Sequence, residues 1–278
     1  MKKGINQWAF LSKDVRECIK KAKEVGFEGI ELDLDEEGEI SFTSKEKDLL
    51  EIKKFAFDTG IKISSICTGL FWKYPLISKE KKVEEKAKDV VKKMVEIASL
   101  LEADTVLIIP GVVGSVLMPP TEIYPYDMVY KRSQEILKNL APFAREHKVY
   151  LGIENVWNKF LLSPLEMRNF IDEIQEEYVQ VYFDVGNVML FGYPEQWIRI
   201  LGRRIKRVHF KDFLTSIGTL DGFVGLLHGD VNWKEVMKAF KEIRYEGFAT
   251  GEYFPYKFYG DQILEDISRA MDKILERD

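Results

Sequence analysis

The chain has 278 residues, of which 46% are hydrophobic and 31% are charged. This composition supplies enough apolar material for a large core and excludes a disordered chain. The formal net charge of -5 argues against a nucleic-acid-binding surface, which needs a clustered basic face. We therefore expect a small polar ligand and no nucleic-acid partner.

Short apolar runs alternate with amphipathic segments along the whole chain. The runs predict strands near 3–7, 28–33, 61–66, 104–109, 149–154, 179–184, 205–210 and 247–252. The amphipathic segments predict helices near 12–25, 44–58, 79–102, 127–147, 163–176, 194–202, 232–243 and 261–276. This order predicts an α/β fold, a single (β/α)8 TIM barrel that forms one domain over residues 1–278.

Helix starts and long loops complete the predicted organisation. Ser44 and Ser163 are placed as N-caps, and Pro164 follows at a first helical position. The longest irregular stretches are 110–126 and 211–231, and both follow strands on the side where a barrel builds its active site. We expect these two loops to cover a substrate.

The cysteines and the hydropathy bear on the cellular compartment. Cys18 and Cys67 lie in different predicted elements, a sparse complement that a reducing compartment tolerates. No segment resembles a signal peptide or a membrane-spanning apolar run. We expect a cytoplasmic protein without a membrane partner.

Four side chains of metal-ligand type stand at the C-terminal ends of four predicted strands. They are Glu154 in VYLGIEN, Asp184 in VQVYFDVGN, His209 in IKRVHFKD and Glu252 in GFATGEY. Each alone could be a cap or an ion-pair partner, but a closed barrel brings all four to one mouth. Buried carboxylates need a compensating cation, and three carboxylates with one imidazole suit Mn²⁺ or a similar octahedral ion better than a structural zinc. The pattern predicts a divalent-metal site.

The ordered motifs resemble the xylose-isomerase-like TIM barrels and, within them, the ketose 3-epimerases of the D-tagatose 3-epimerase type. The resemblance covers essentially the whole chain and rests on IEN at 153–155, DVGN at 184–187, HFKD at 209–212, GDVNW at 229–233 and GEY at 251–253. It implies that Glu154, Asp184, His209 and Glu252 bind one divalent ion, usually manganese, with Mg²⁺ or Co²⁺ as alternatives. It also implies that Glu154 and Glu252 stand on opposite faces of the substrate.

This resemblance implies an isomerase that inverts carbon 3 of a keto sugar or keto sugar acid through a cis-enediolate. Abstraction of a proton next to a carbonyl needs a base, and a carboxylate on the other face can return the proton with inverted configuration. Glu154 and Glu252 are the expected catalytic pair. A homo-oligomer is left open.

Three other functions remain as alternatives. An aldose-ketose isomerase would use the same enediolate on the same scaffold. An endonuclease IV-like repair enzyme would need many histidines, whereas this acidic chain has only His147, His209 and His228. A non-catalytic sugar-binding module would not need both glutamates.

The chain departs from the best-known epimerases around the substrate. Phe160 stands where they carry a second Glu, Asn187 stands where they carry a His, and no Arg between 213 and 227 matches theirs. We therefore expect a different way of holding the substrate.

The candidate substrate-binding residues lie near the predicted mouth, and each has a purely structural alternative. Lys159 and Lys211 could meet a carboxylate or be exposed loop lysines, and His228 and Asn187 could meet substrate hydroxyls. An apolar wall against the sugar, or packing beneath the loops, is expected of Trp8, Cys67, Trp72 and Trp157. Glu31 and Asp33, in IELDL, are expected to form hydrogen bonds at the barrel rim.

Overall fold

The computed structural model describes residues 1–115 and 123–277. Within these residues, eight parallel strands close a barrel, in which the first strand pairs with both the second and the last. The barrel strands are β1 (Lys2–Asn6), β2 (Gly29–Asp33), β3 (Lys62–Cys67), β4 (Thr105–Ile108), β5 (Tyr150–Glu154), β6 (Val179–Asp184), β7 (Ile205–Phe210) and β10 (Phe248–Gly251). Each predicted strand is present, so the predicted TIM barrel is confirmed.

Helices follow the strands and pack around the barrel. They are α1 (Val15–Glu24), α2 (Glu46–Thr59), α3 (Leu70–Lys73), α4 (Lys81–Leu100), α5 (Tyr126–Glu146), α6 (Pro164–Ile174), α7 (Pro194–Leu201), α8 (Trp233–Glu242) and α9 (Gln262–Ile274). The one-turn helix α3 was not predicted, because a single turn is too short to show helical periodicity. None of the helices in the described part of the chain combines the length and apolar character needed to span a lipid bilayer.

The two predicted N-caps have different outcomes. The Ser163 hydroxyl accepts a hydrogen bond from the Glu166 backbone N–H at 3.2 Å, and Pro164 begins α6, as predicted. Ser44 is not a cap, because α2 begins at Glu46 after Lys45. The Ser44 hydroxyl instead donates to the Glu39 carbonyl at 2.6 Å and stabilises the preceding loop.

The two long loops also differ. Part of the predicted 110–126 loop, residues 116–122, lies outside the described residues. The 211–231 loop contains a short antiparallel hairpin, formed by β8 (Asp212–Phe213) and β9 (Phe223–Val224). This hairpin continues from the end of β7, and so it begins at the barrel mouth.

Buried charges at the end of the barrel where the strands begin are paired. The Lys3 ammonium group, nearly buried, donates to Ser268 Oγ at 3.0 Å and to Asp272 Oδ1 at 2.6 Å. Arg207 donates to the Ser64 carbonyl at 3.1 Å and forms an ion pair with Asp104. Lys3 and Arg207 therefore have all their charge partners within the protein, which fits the end of a TIM barrel that stabilises the fold and does not carry the active site.

Candidate metal centre and active site

The four predicted ligands meet at the end of the barrel where the strands finish. Glu154, Asp184, His209 and Glu252 each offer an atom to a group whose atoms all lie within 4.8 Å of one another. His209 Nδ1 is 3.4 Å from a Glu154 oxygen, 3.8 Å from an Asp184 oxygen and 2.6 Å from a Glu252 oxygen. Their strands β5, β6, β7 and β10 are consecutive neighbours, so the ligands form an arc along one half of the mouth.

The donor set fits a divalent cation. Asp184 Oδ2, His209 Nδ1 and Glu252 Oε2 are buried and converge without a well-aligned hydrogen bond, although Lys211 Nζ lies 3.0 Å from both carboxylate oxygens. Buried polar atoms are normally satisfied, and one ammonium group is too little positive charge for three carboxylates, so the lone pairs of this cluster suit a further cation. Oxygen atoms with one imidazole nitrogen are typical ligands of Mn²⁺-like ions.

Glu31 fixes which nitrogen of His209 faces this cluster. A Glu31 carboxylate oxygen lies 2.8 Å from His209 Nε2, and both side chains are fully buried. We infer that Nε2 carries the proton and donates to Glu31, which leaves the Nδ1 lone pair directed at the carboxylates. This role was not predicted from the sequence, which indicated only rim hydrogen bonds for Glu31.

Glu31 is itself held by three further donors. Asn6 Nδ2 donates to Glu31 at 2.6 Å, Ser65 Oγ at 2.9 Å and the Tyr182 hydroxyl at 2.6 Å. Burial opposes ionisation, but His209 and these hydrogen bonds outweigh it and hold the pKa of Glu31 below its usual range. Glu31 is thus an ionised, immobile acceptor behind the metal ligand.

The IEN and DVGN motifs interlock to position Asp184. The Asn155 side chain forms hydrogen bonds with both the backbone N–H and the carbonyl of Asp184, at 2.9 and 2.8 Å. The Asn187 backbone N–H donates to Asp184 Oδ1 at 2.7 Å, and the Asn187 amide donates to the Asn155 carbonyl at 2.9 Å. One Asp184 oxygen is therefore fixed, and the other is left for a cation.

Negative potential dominates the cluster. Burial opposes protonation of His209, yet Glu31 and Glu252 outweigh it and raise the pKa of His209 well above its usual value. Burial and the repulsion of Glu252 raise the pKa of Glu154 to about 7, although His209 and Lys211 oppose the rise. Burial also opposes ionisation of Glu252, but Lys211 and His209 hold its pKa below the usual range. A potential of this sign attracts a cation.

Lys211 enters the cluster. From the sequence, Lys211 is expected to be either an exposed loop lysine or a substrate contact; in the structure most of its side chain is buried. Lys211 Nζ is 3.0 Å from Asp184 Oδ2 and 3.0 Å from Glu252 Oε2. The approach is possible because residue 186 is glycine, since a Cβ there would lie 2.7 Å from the Lys211 Cβ. Lys211 is therefore part of the site.

Asp212, next in the HFKD motif, secures the following loop. Its buried carboxylate accepts hydrogen bonds from the backbone N–H groups of Leu227 at 2.9 Å and Val231 at 3.2 Å, and from Trp233 Nε1 at 2.9 Å. The HFKD and GDVNW motifs are therefore joined by hydrogen bonds from the second motif to Asp212 of the first. His228 lies exposed in this loop.

The predicted apolar wall divides between the two halves of the mouth. Trp157 is buried beside the metal half, donates to the Asn187 carbonyl at 3.0 Å and contacts Phe213 edge-on. On the other half, Cys67 is fully buried and Trp8 stacks on Phe254 with ring centroids 6.0 Å apart. Trp72 is half-buried in α3.

Two residues after β5, Lys159 and Phe160, bear on how the substrate is held, and they lie in different surroundings. Lys159 is exposed and has a left-handed backbone, with φ of 55°. Phe160 is buried in an aromatic cluster with Tyr126 and Phe170, at centroid distances of 5.4 and 5.7 Å. The position where the resembled epimerases carry a Glu is here part of the apolar core.

The fold and the cluster together define a class of protein: (β/α)8 barrels with a carboxylate–imidazole cluster at the barrel mouth. The chain belongs to the xylose isomerase-like TIM barrel family, whose model matches residues 19–275. This match confirms the family resemblance read from the motifs.

Relatives and solved structures agree with this assignment. The chain is 23% identical to a putative L-ribulose-5-phosphate 3-epimerase of Haemophilus influenzae, over 94% of this chain and 91% of the relative. It is 24% identical to a protein of the same description from Escherichia coli, over 85% of this chain and 83% of the relative. A D-psicose 3-epimerase from Clostridium cellulolyticum H10, solved with D-tagatose, superposes with a TM-score of 0.81 at 18% identity, with 99% of both chains covered. The last comparison shows a shared fold.

Proposed function

We propose that this protein is a metal-dependent epimerase that inverts carbon 3 of a keto sugar through a cis-enediolate. The observation that carries the proposal is the order of the four ligands around the mouth. Glu154 on β5 and Glu252 after β10 stand at the two ends of the arc, with Asp184 and His209 between them. A substrate on the arc therefore lies between two carboxylates, as proton removal and return on opposite faces require.

Each carboxylate has a proton-transfer role that depends on the direction of reaction. One removes the proton from carbon 3, and the other delivers a proton to the opposite face. The negative charge that develops on the substrate oxygens lies near Lys211, whose ammonium group is within 3.0 Å of both Asp184 and Glu252. We propose that Lys211 stabilises this charge by donating hydrogen bonds to a substrate oxygen.

Glu154, Asp184, His209 and Glu252 would hold the metal ion, for which we propose manganese. When bound, the ion supplies positive charge that polarises the substrate carbonyl and stabilises the enediolate. Glu31 orients the imidazole, and Asn155 and Asn187 orient the Asp184 carboxylate. These residues set the geometry before substrate arrives.

The substrate proposed is a small keto sugar. The names of the curated relatives support this choice, since they describe 3-epimerases of L-ribulose 5-phosphate. Trp8, Cys67 and Trp157 are proposed to contact its carbon face, with Trp72, Lys159 and His228 at the edge of the mouth. Asn187 is proposed to act through Asp184, because its backbone N–H and side-chain amide are both engaged in that support.

Metal removal tests the proposal. We expect chelated protein to lose epimerisation and to regain it with Mn²⁺ better than with Zn²⁺, because the ligand set is rich in oxygen. Product epimers are measured by chromatography after incubation with ketohexoses and L-ribulose 5-phosphate. Undiminished turnover by rigorously metal-free protein would contradict the mechanism.

Ligand variants locate the metal. Asp184→Asn and His209→Ala should weaken Mn²⁺ binding in calorimetric titrations, since each removes one donor from the cluster. Asp89→Asn makes the same chemical change as the first on the exposed face of α4 and serves as the control. Equal Mn²⁺ affinity in all these proteins would place the metal elsewhere.

A further inference from the structure

The half of the mouth opposite the metal arc carries an acidic residue with no assigned role. Asp33 ends β2, and alternation along a strand places it on the same face as Glu31, one layer nearer the opening. Glu31 points into the barrel, because it bonds to His209 and to Ser65. Asp33 therefore also points inward, toward the space above the metal ligands.

Neighbouring residues confirm this orientation. Cys67 is paired in register with Asp33, and Asn6 Nδ2 lies 3.3 Å from the Cys67 sulfur. Burial raises the pKa of Cys67 well above its usual value, and the charges of Glu31, Asp33 and Glu252 raise it further. Cys67 thus lies beside Asp33 on the inner face of the barrel.

One oxygen of Asp33 has no hydrogen-bond partner. Among residues 1–115 and 123–277, no donor reaches Asp33 Oδ1, although the atom is buried. The Asp33 backbone N–H donates to Gln7 Oε1 at 3.0 Å, which fixes the end of β2, and the Trp8 side chain is near enough to lower the pKa of the Asp33 carboxyl. One acceptor atom of Asp33 is thus left over. An unsatisfied buried acceptor at the barrel mouth indicates a missing donor.

The charges around Asp33 decide what kind of donor fits. Burial, Asp35 and Glu31 raise the pKa of Asp33 to about 7, against the opposing effects of Trp8 and the exposed Lys13. The environment is therefore already negative. A neutral hydroxyl can satisfy the free oxygen without adding charge, whereas a phosphate or carboxylate placed there would meet like-charge repulsion.

We propose that Asp33 is a specificity-determining residue, which accepts a hydrogen bond from a hydroxyl at the end of the substrate far from the metal and disfavours substrates that carry an anionic group there. The proposal rests on the proposed function for the position of the substrate across the mouth. It sets this chain apart from relatives described as acting on a sugar phosphate. The selected substrate is an unphosphorylated, uncharged keto sugar.

Binding of two unreactive alditols tests Asp33 separately from catalysis. Ribitol and ribitol 5-phosphate lack the carbonyl, so calorimetry on Mn²⁺-loaded protein at pH 8, above the Asp33 pKa of about 7, gives their dissociation constants for the ionised carboxylate without turnover. We expect wild-type protein to prefer ribitol by at least about tenfold, a modest value for one hydrogen bond to a charged acceptor and one avoided repulsion. Asp33→Asn should reduce that preference at least about tenfold.

Two further variants keep the test decisive. Asp89→Asn removes the same charge from the exposed face of α4 and should leave the preference unchanged within about twofold. Asp33→Ser also removes the charge but has a smaller side chain. If one of the two Asp33 variants fails to fold, as judged by thermal unfolding, the other still measures the alditol preference. An unchanged preference in the Asp33 variants, tighter binding of ribitol 5-phosphate by wild type, or binding of neither alditol would overturn the proposal.

Turnover distinguishes the two proposals. The ratio of kcat/KM for L-ribulose to that for L-ribulose 5-phosphate should fall in Asp33→Asn in parallel with the alditol preference. If the alditol preference shifts as expected while wild type epimerises no ketose, the role of Asp33 stands and the epimerase proposal fails. If wild type epimerises ketoses and the Asp33 variants keep the wild-type alditol preference, the epimerase proposal stands and the role of Asp33 fails.

Discussion

The two ends of the barrel treat buried charge in opposite ways. Where the strands begin, Lys3 and Arg207 meet matched acceptors, and each charge is paired. Where the strands finish, Glu154, Asp184 and Glu252 crowd around His209 Nδ1, and Lys211 is the cation shared between Asp184 and Glu252. One end is complete as a folded structure, whereas the other end becomes complete only with a cation and a substrate.

This difference separates the residues that stabilise the fold from those that serve chemistry. Removing one partner of a buried ion pair leaves the other charge uncompensated, so at the paired end a substitution should be measured as lost stability. Like charges held together cost stability, and they persist because the surrounding structure holds them in place. The variants below test whether the two ends respond as differently as their contacts indicate.

The largest effect is expected at the two ends of the ligand arc. Glu154→Gln and Glu252→Gln should each lower epimerisation by at least about 10²-fold, the low end for loss of a positioned acid or base. Initial rates with a ketohexose, measured at saturating Mn²⁺, give the loss. The variants should stay folded, because removing one of several like charges relieves repulsion.

Glu85→Gln provides the matched control, since the same change is made at an exposed position on α4. It should keep the wild-type rate. A Glu154→Gln or Glu252→Gln variant with more than a tenth of wild-type activity would remove that glutamate from the proposed pair.

The next largest effect is expected at Glu31, which contacts the metal ligand His209. Glu31→Gln removes the charge that holds His209 and should weaken Mn²⁺ binding by about 10- to 100-fold, the usual cost of losing such a support. Glu28→Gln makes the same change just before β2, where the Glu28 carboxylate accepts a hydrogen bond from the Lys3 backbone N–H at 2.8 Å. Calorimetric titration should show a lower affinity only for Glu31→Gln; equal affinities would mean that Glu31 does not position the ligand.

The smallest effect belongs to the paired end and is measured as stability. Lys3→Met leaves Ser268 and Asp272 without their donor and should lower the free energy of unfolding by about 1–3 kcal/mol, with activity unchanged. Lys2→Met, at the exposed neighbouring position, is the control. Urea denaturation gives both values. A loss of activity in Lys3→Met without a loss of stability would contradict the division between the two ends.

The sequence was sufficient to predict the fold and the ligand cluster, for a physical reason. Parallel strands buried on both faces are nearly continuous apolar runs, so a carboxylate or imidazole at the end of such a run is conspicuous. Glu154, Asp184, His209 and Glu252 each follow such a run, and barrel closure alone brings them together. Periodicity and topology therefore carried most of the prediction.

The contacts across the barrel could not be predicted in the same way. Glu31 lies on β2 and supports His209 on β7, which is 178 residues away in the sequence. Nothing local in IELDL indicates that partner. Lys211 was ambiguous for the same reason, because its burial depends on the close approach of Gly186 from the turn after β6. Ser44 failed as a cap because the loop before α2 uses its hydroxyl.

The central claim is proton exchange at carbon 3 between two carboxylates, and deuterium incorporation tests it most directly. Wild-type protein loaded with Mn²⁺ is incubated in D₂O with a ketohexose and, separately, a keto-hexonate, and the carbon-3 proton is followed by NMR. We predict loss of that proton signal together with the appearance of the carbon-3 epimer, with the uncharged ketohexose reacting faster. Label at carbon 1 alone would identify an aldose-ketose isomerase, and no incorporation with any keto sugar would contradict an enediolate mechanism altogether.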